Sequence, residues 1–133
     1  MSKNSVQKQK VLMIEDNPSL RKIYKNRLTL EGFDFIEATN GEEGLNKVKA
    51  EKPDLVLLDL ILPKKNGFDV LIEMKRNKET RNIPVIILSN LGQESDIKKG
   101  LALGAQEYLV KPEVTLSGVV DRIKECIVKN LKK

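Results

Sequence analysis

Apolar runs of strand length alternate along this chain with segments whose apolar positions recur at helical spacing. "VLMIE" (11–15) precedes Asn17-Pro18, a helix-start pair, and a stripe of Leu20, Ile23, Tyr24 and Leu28 that stops at Gly32. "FDFIEA" (33–38) breaks its apolar residues with polar ones, as a sheet-edge strand does. Thr39 and Glu42 have capping-box spacing for a short helix carrying Leu45 and Val48. "DLVLL" (54–58) is apolar throughout after Asp54 and leads to a helix presenting Phe68, Leu71 and Ile72. "PVIIL" (84–88) is a second such strand, followed by a helix with Ile97 and Leu101 and a stop at Gly104. "EYLV" (107–110) is the fifth strand, and Leu116, Val119, Val120, Ile123 and Ile127 mark the last helix.

Five strands alternating with five helices predict an α/β fold with a parallel sheet and right-handed crossovers. Strands without polar alternation are covered on both faces, as the central strands of such a sheet are. A chain of 133 residues makes one domain of this kind.

Composition narrows the classes. With 40% hydrophobic and 32% charged residues the sequence is that of a folded globule. No apolar run approaches the ~18 residues that span a bilayer, and "MSKNSVQKQK" lacks the apolar centre of a signal peptide. A cytoplasmic protein with no membrane association is expected. Cys126 has no partner for an internal disulfide, and its spacing from Ile123 reads as a small core residue. The formal charge of +5 belongs to the ends: taking Lys3, Lys8, Lys10, Lys129, Lys132 and Lys133 from the 24 basic residues leaves 18 against 19 acids. The expected organisation is therefore a basic extension at 1–9, a folded domain at 10–131 and a basic tail at 132–133.

The chemistry lies after the strands. In open parallel α/β sheets, ligands bind outside the carboxyl ends of the strands. Glu15 and Asp16 follow the first apolar run, Asp59 the third, Ser89 the fourth, and Lys111 with Pro112 the fifth. Three carboxylates gathered on one rim raise one another's pKa values unless a cation joins them. Oxygen ligands alone favour a hard divalent ion, Mg²⁺ above all beside phosphate chemistry. Lys111 and Ser89 add donors for phosphoryl oxygens. An aspartate beside Mg²⁺ can act as a nucleophile towards phosphorus, so the expected chemistry is phosphoryl transfer onto Asp59.

"VLMIEDN", "VLLDLILPKKNGFDVL", "PVIILSN" and "GAQEYLVKP", in that order and spacing, resemble the receiver domain of two-component response regulators over nearly the whole chain. The resemblance implies a flavodoxin-like, doubly wound sheet of order 2-1-3-4-5. It implies Asp59 as phosphoacceptor, with Mg²⁺ held by Glu15, Asp16, Asp59 and the backbone carbonyl of Ile61. Ser89 resembles the switch hydroxyl, Tyr108 the switch aromatic and Lys111 the phosphate-contacting lysine. Pro63 and Gly67 match the turn after the phosphoacceptor, and the Lys111–Pro112 bond is expected to be cis. The resemblance further implies that Ile61 and Leu91, two residues after Asp59 and Ser89, flank the phosphoryl group and set its lifetime.

A stand-alone regulator is expected, since nothing follows the fifth helix. Its partners would be a sensor histidine kinase or histidine phosphotransfer protein and a downstream protein target, with no direct DNA binding. It would catalyse only its own phosphorylation and dephosphorylation. The alternative is a receiver-like module that binds protein without phosphorylation. Two features depart from the family's pattern: the basic loop Lys64, Lys65 and Asn66, and Glu113, where an aromatic often follows the Lys-Pro pair. Other phosphate chemistries lack their residues. A haloacid-dehalogenase-type enzyme needs an aspartate where Ile61 stands, "EDNPSL" is no P-loop, and the chain has no histidine to serve as phosphodonor.

Overall fold

A computed structural model describes residues 8–131. The strands are β1 (Lys10–Ile14), β2 (Asp34–Ala38), β3 (Leu55–Leu58), β4 (Val85–Ser89) and β5 (Glu107–Val110). The helices are α1 (Pro18–Leu30), α2 (Gly41–Glu51), α3 (Gly67–Arg76), α4 (Glu94–Ala102) and α5 (Leu116–Leu131), with a 3₁₀ turn at Lys111–Glu113. The sheet order is β2-β1-β3-β4-β5 and every pairing is parallel, which is the flavodoxin-like arrangement expected. Residues 1–7 of the basic extension, and Lys132 and Lys133, lie outside the described residues.

Period-two alternation along the central strands divides the core in two. Leu12, Ile14, Val56, Leu58 and Ile87 face Leu45, Val48, Val70, Leu71 and Met74 of α2 and α3. Val11, Met13, Leu55, Leu57, Ile86 and Leu88 face Tyr24 and Leu28 of α1 and the Val119, Val120, Ile123, Cys126 and Ile127 stripe of α5. Each fully buried aliphatic contributes roughly 1.5–3 kcal/mol relative to exposure. With β2 and β5 at the edges, β1, β3 and β4 are buried throughout apart from half-buried Lys10 at the start of β1, which explains their apolar runs.

The element ends show how the backbone is satisfied. Asn17 caps α1 by accepting from the Ser19 and Leu20 amides, with Pro18 beginning the helix. Gly32 and Gly104, at φ +96° and +111°, end α1 and α4 in the left-handed region. The capping box of α2 sits one residue later than Thr39 and Glu42. Helix α2 starts at Gly41, so Asn40 is the cap; it accepts from the Glu43 amide at 2.8 Å, while Glu43 accepts from the Thr39 amide and hydroxyl. Two expected stripe residues are turned outward, Ile23 (48% exposed) and Leu101 (45%). In α4 the one buried residue is Gly100, set against Ile87 and the Tyr108 ring.

The Lys111–Pro112 bond is not cis: no described peptide bond is. Pro112 stands in the first turn of the 3₁₀ segment, where its ring fixes a φ suited to a helical start and its missing N–H costs nothing. The trans bond, favoured by ~0.5–1 kcal/mol, meets that need.

Candidate functional site

Strand pairing aligns the carboxyl ends of β1, β3 and β5, and the residues that follow them converge. Glu15, its amide bound to the Ala38 carbonyl at 3.0 Å, extends the β1 ladder by one residue and is 1% exposed. The Asp59 amide donates to the Ile14 carbonyl at 3.0 Å, placing this 5% exposed carboxylate beside Glu15. Asp16, in the β1–α1 loop, is exposed. One carboxylate oxygen from each of Glu15, Asp16 and Asp59 lies within 4.8 Å of the others. From the end of β5, Lys111 Nζ reaches Glu15 Oε1 at 2.8 Å and Asp59 Oδ2 at 3.0 Å.

One ammonium against three carboxylates leaves the cluster with formal charge −2. Burial pushes the Glu15 carboxyl above the ordinary carboxylate range; Lys111 and the Asn17 amide work against this, and Asp59 adds to it. Burial works against the Lys111 ammonium, but Glu15 and Asp59 outweigh it and hold its pKa above the ordinary lysine value. Remaining lone pairs are partly met: Glu15 Oε2 accepts from the Asn17 amide at 3.1 Å and Asp59 Oδ1 from the Ile61 amide at 3.3 Å. Glu15 Oε1 is buried and faces the Lys111 ammonium at 2.8 Å. An all-oxygen cluster of three carboxylates with formal charge −2 fits a hard divalent cation.

The loop after Asp59 is held from below. A Cβ on Gly67 would lie 2.3 Å from the Asp59 carbonyl oxygen, so only glycine lets α3 begin this close to the end of β3. Asn66 caps α3 through the Asp69 amide at 3.0 Å, and Lys65 pairs with Glu73. Two of the three residues in the basic loop are thus occupied locally, while Lys64 is exposed with φ +68°.

Ser89 ends β4 fully buried, and its hydroxyl accepts from the Leu91 amide at 3.3 Å. The Tyr108 hydroxyl donates to the Leu91 carbonyl at 2.5 Å. Ile61 stands at the rim, 53% exposed, whereas Leu91 packs against the α2–α3 core. Sequence reasoning missed Arg21, whose guanidinium reaches the Glu15 carbonyl; an arginine on an amphipathic helix carries no signal of such a contact.

Both tyrosines are pushed up to about 12, chiefly by burial, with Glu15 contributing at Tyr24 and Asp96 and Asp59 at Tyr108. Because the unfolded phenols ionise near 10, the folded protein binds more protons between there and 12, and stability falls as pH rises through that window. Absorbance titration should place both phenolate transitions near 12 until alkaline unfolding intervenes. Transitions at the free-phenol value in folded protein would contradict it.

The response regulator receiver domain family matches residues 11–124. The chain belongs to that family. It is 44% identical over 107 residues to a protein named probable transcriptional regulator ycf27 from Porphyridium aerugineum, covering 80% of this chain and 43% of the relative. It is 38% identical over 103 residues, 77% of its length, to the DNA-binding dual master transcriptional regulator RpaA of Synechocystis, covering 43% of that protein. It is also 38% identical over 103 residues to the Bacillus subtilis alkaline phosphatase synthesis transcriptional regulatory protein PhoP, covering 77% of this chain and 42% of that one. The chain thus spans under half the length of the curated relatives it matches. Among solved structures, a CheY-like receiver domain from Methanospirillum hungatei superposes with a TM-score of 0.88 at 25% identity, covering 95% of this chain and 98% of the other.

These relatives overturn the expectation of no direct DNA binding. RpaA is named as DNA-binding and the others as transcriptional regulators. That expectation rested on nothing following the fifth helix, and a sequence matching under half of such proteins gives no ground for excluding DNA. Among the described residues, no helix is long and apolar enough to cross a membrane.

Proposed function

We propose that residues 10–131 act as a phosphoacceptor unit in the cytoplasm, taking a phosphoryl group onto Asp59 from a sensor histidine kinase or histidine phosphotransfer protein. The observation that carries this reading is the Lys111 ammonium bridging Glu15 and Asp59 at 2.8 and 3.0 Å beside an oxygen cluster that lacks a cation's worth of charge. An Asp59 carboxylate oxygen attacks phosphorus, a P–O bond forms as the P–N bond to the donor imidazole breaks, and the imidazole leaves with a proton. Lys111 lies where it can hold a phosphoryl oxygen, and the Ser89 hydroxyl can serve a second one. Mg²⁺, held by Glu15, Asp16, Asp59 and the Ile61 carbonyl, would neutralise the shared negative charge and polarise the phosphoryl oxygens.

The readout follows from Lys111 and Ser89 turning toward the phosphoryl group. The Leu91 backbone, bonded to both Ser89 and Tyr108, links that movement to α4, β5 and α5. The names of the relatives support an output in transcription. Like other phosphoacceptor domains, it works on itself and turns over no separate substrate.

Incubated with a small acyl phosphate and Mg²⁺, the protein should gain one phosphoryl group by intact mass, and none after chelation. No gain with Mg²⁺ present would overturn the reading. Asp16→Asn should weaken Mg²⁺ binding strongly, followed by amide NMR shifts; an unchanged titration would remove Asp16 from the ligand set.

A further inference from the structure

Arg21 is the one cation of α1 drawn into the rim of the site. Its side chain is only 14% exposed, so its guanidinium must be paired to be tolerated there. Two acceptors hold it. Nε donates to Glu37 Oε1 on β2 at 2.9 Å, and Nη1 donates to the backbone carbonyl of Glu15 at 2.8 Å. That carbonyl is the first on β1 beyond the paired stretch, since the β1–β2 and β1–β3 registers both end at Ile14. It belongs to the peptide that joins Glu15 to Asp16, the two adjacent acids of the cluster. A rotation of this peptide, which changes ψ at Glu15 and φ at Asp16, re-aims the Asp16 carboxylate relative to Glu15 and Asp59. Without Arg21 nothing in the ladder opposes that rotation on the carbonyl side.

The partner is fixed in turn. Glu37 lies in β2, and its own carbonyl accepts from Lys47 Nζ at 2.5 Å, tying that strand end to α2. The planar fork of a guanidinium can serve a carboxylate and a carbonyl at once in fixed directions, which a single ammonium cannot.

We infer that Arg21 is a positioning residue, a strut from β2 to the Glu15–Asp16 peptide that sets the Asp16 carboxylate beside Glu15 and Asp59 to hold the divalent cation. The inference rests on the metal reading proposed above. Residues that orient metal ligands typically change affinity by ~10–100-fold when lost.

The test is Mg²⁺ titration of the whole chain by amide NMR, with urea midpoints measured in parallel, for wild type, Arg21→Ala, Arg21→Lys, Glu37→Gln and Asp16→Asn. Arg21→Ala should raise the Mg²⁺ Kd about tenfold or more while the protein remains folded. Arg21→Lys should fall between it and wild type, and Glu37→Gln, which keeps an acceptor for Nε–H, should lose least. Raised Mg²⁺ should restore phosphoryl incorporation in Arg21→Ala, which a merely structural defect would not allow. A folded Arg21→Ala with the wild-type Kd overturns the inference, provided Asp16→Asn binds weakly. Wild-type affinity in Asp16→Asn itself removes the metal reading and this inference together.

Discussion

Asp59→Asn is expected to reduce phosphoryl incorporation from a small acyl phosphate to background while leaving the fold intact. The amide has the shape of the carboxylate and keeps one oxygen, which can accept from the Ile61 amide or from Lys111, contacts that Asp59 divides between Oδ1 and Oδ2. It has no anionic oxygen to attack phosphorus, so the chemistry stops at its first step. Stability should not fall, because the substitution removes a carboxylate from a crowd. Lys111 is left to pair one-to-one with Glu15, whose pKa is raised first by burial and further by Asp59.

A carboxyl with a raised folded pKa stabilises the fold below its unfolded value of 4.5 and loses that contribution as pH rises through its folded value. Removing the Asp59 charge narrows that window, so the variant's urea midpoint should depend less on pH just above 4.5 than the wild type's. Phosphoryl label retained in Asp59→Asn would show that another residue is the acceptor. A variant much less stable than wild type would show that Asp59 is held by more than its charge partner.

The parts of this molecule legible in the sequence are those governed by periodicity. The doubly covered strands, the α5 stripe and the stops at Gly32 and Gly104 follow from burial and backbone sterics, which act residue by residue. The convergence of Glu15, Asp16, Asp59 and Lys111 was also legible, because parallel topology delivers every strand's carboxyl end to one rim. What escaped depends on a partner remote in sequence or on a choice between near-equal states. The α2 cap moved by one residue because asparagine at 40 and threonine at 39 are both good caps, and the helix start chooses between them. Leu101 lies outward because Gly100, the residue before it, takes the inward position against Tyr108. The trans bond at Pro112 reflects the 3₁₀ turn it enters, which no local motif announces. Arg21 reads as one more basic residue of a solvated helix face until β2 brings Glu37 beside it.

The second large effect concerns how long the phosphoryl group would last. The positions two after Asp59 and two after Ser89 are Ile61 and Leu91, both aliphatic. Ile61 is 53% exposed, so core packing does not explain its presence at the rim. Leu91 packs inward, and its backbone, not its side chain, binds Ser89 and Tyr108. Neither side chain can orient a water for attack on phosphorus or accept its proton, and Ile61 adds bulk beside the open edge of Asp59. A slowly hydrolysed aspartyl phosphate is the expected consequence. Ile61→Asn combined with Leu91→Glu supplies a hydrogen-bonding amide and a carboxylate where the wild type has none. Because the Leu91 main chain is retained, the Tyr108 bond should survive the change. Loss of phosphate from the labelled double variant should be about tenfold faster, below the ~10²-fold that a fully positioned acid–base group contributes. The single variants divide the effect, with Leu91→Glu acting as proton acceptor and Ile61→Asn as water-orienting group. Decay of the phosphorylated double variant at the wild-type rate would mean that lifetime is governed by Lys111 and the carboxylate cluster instead.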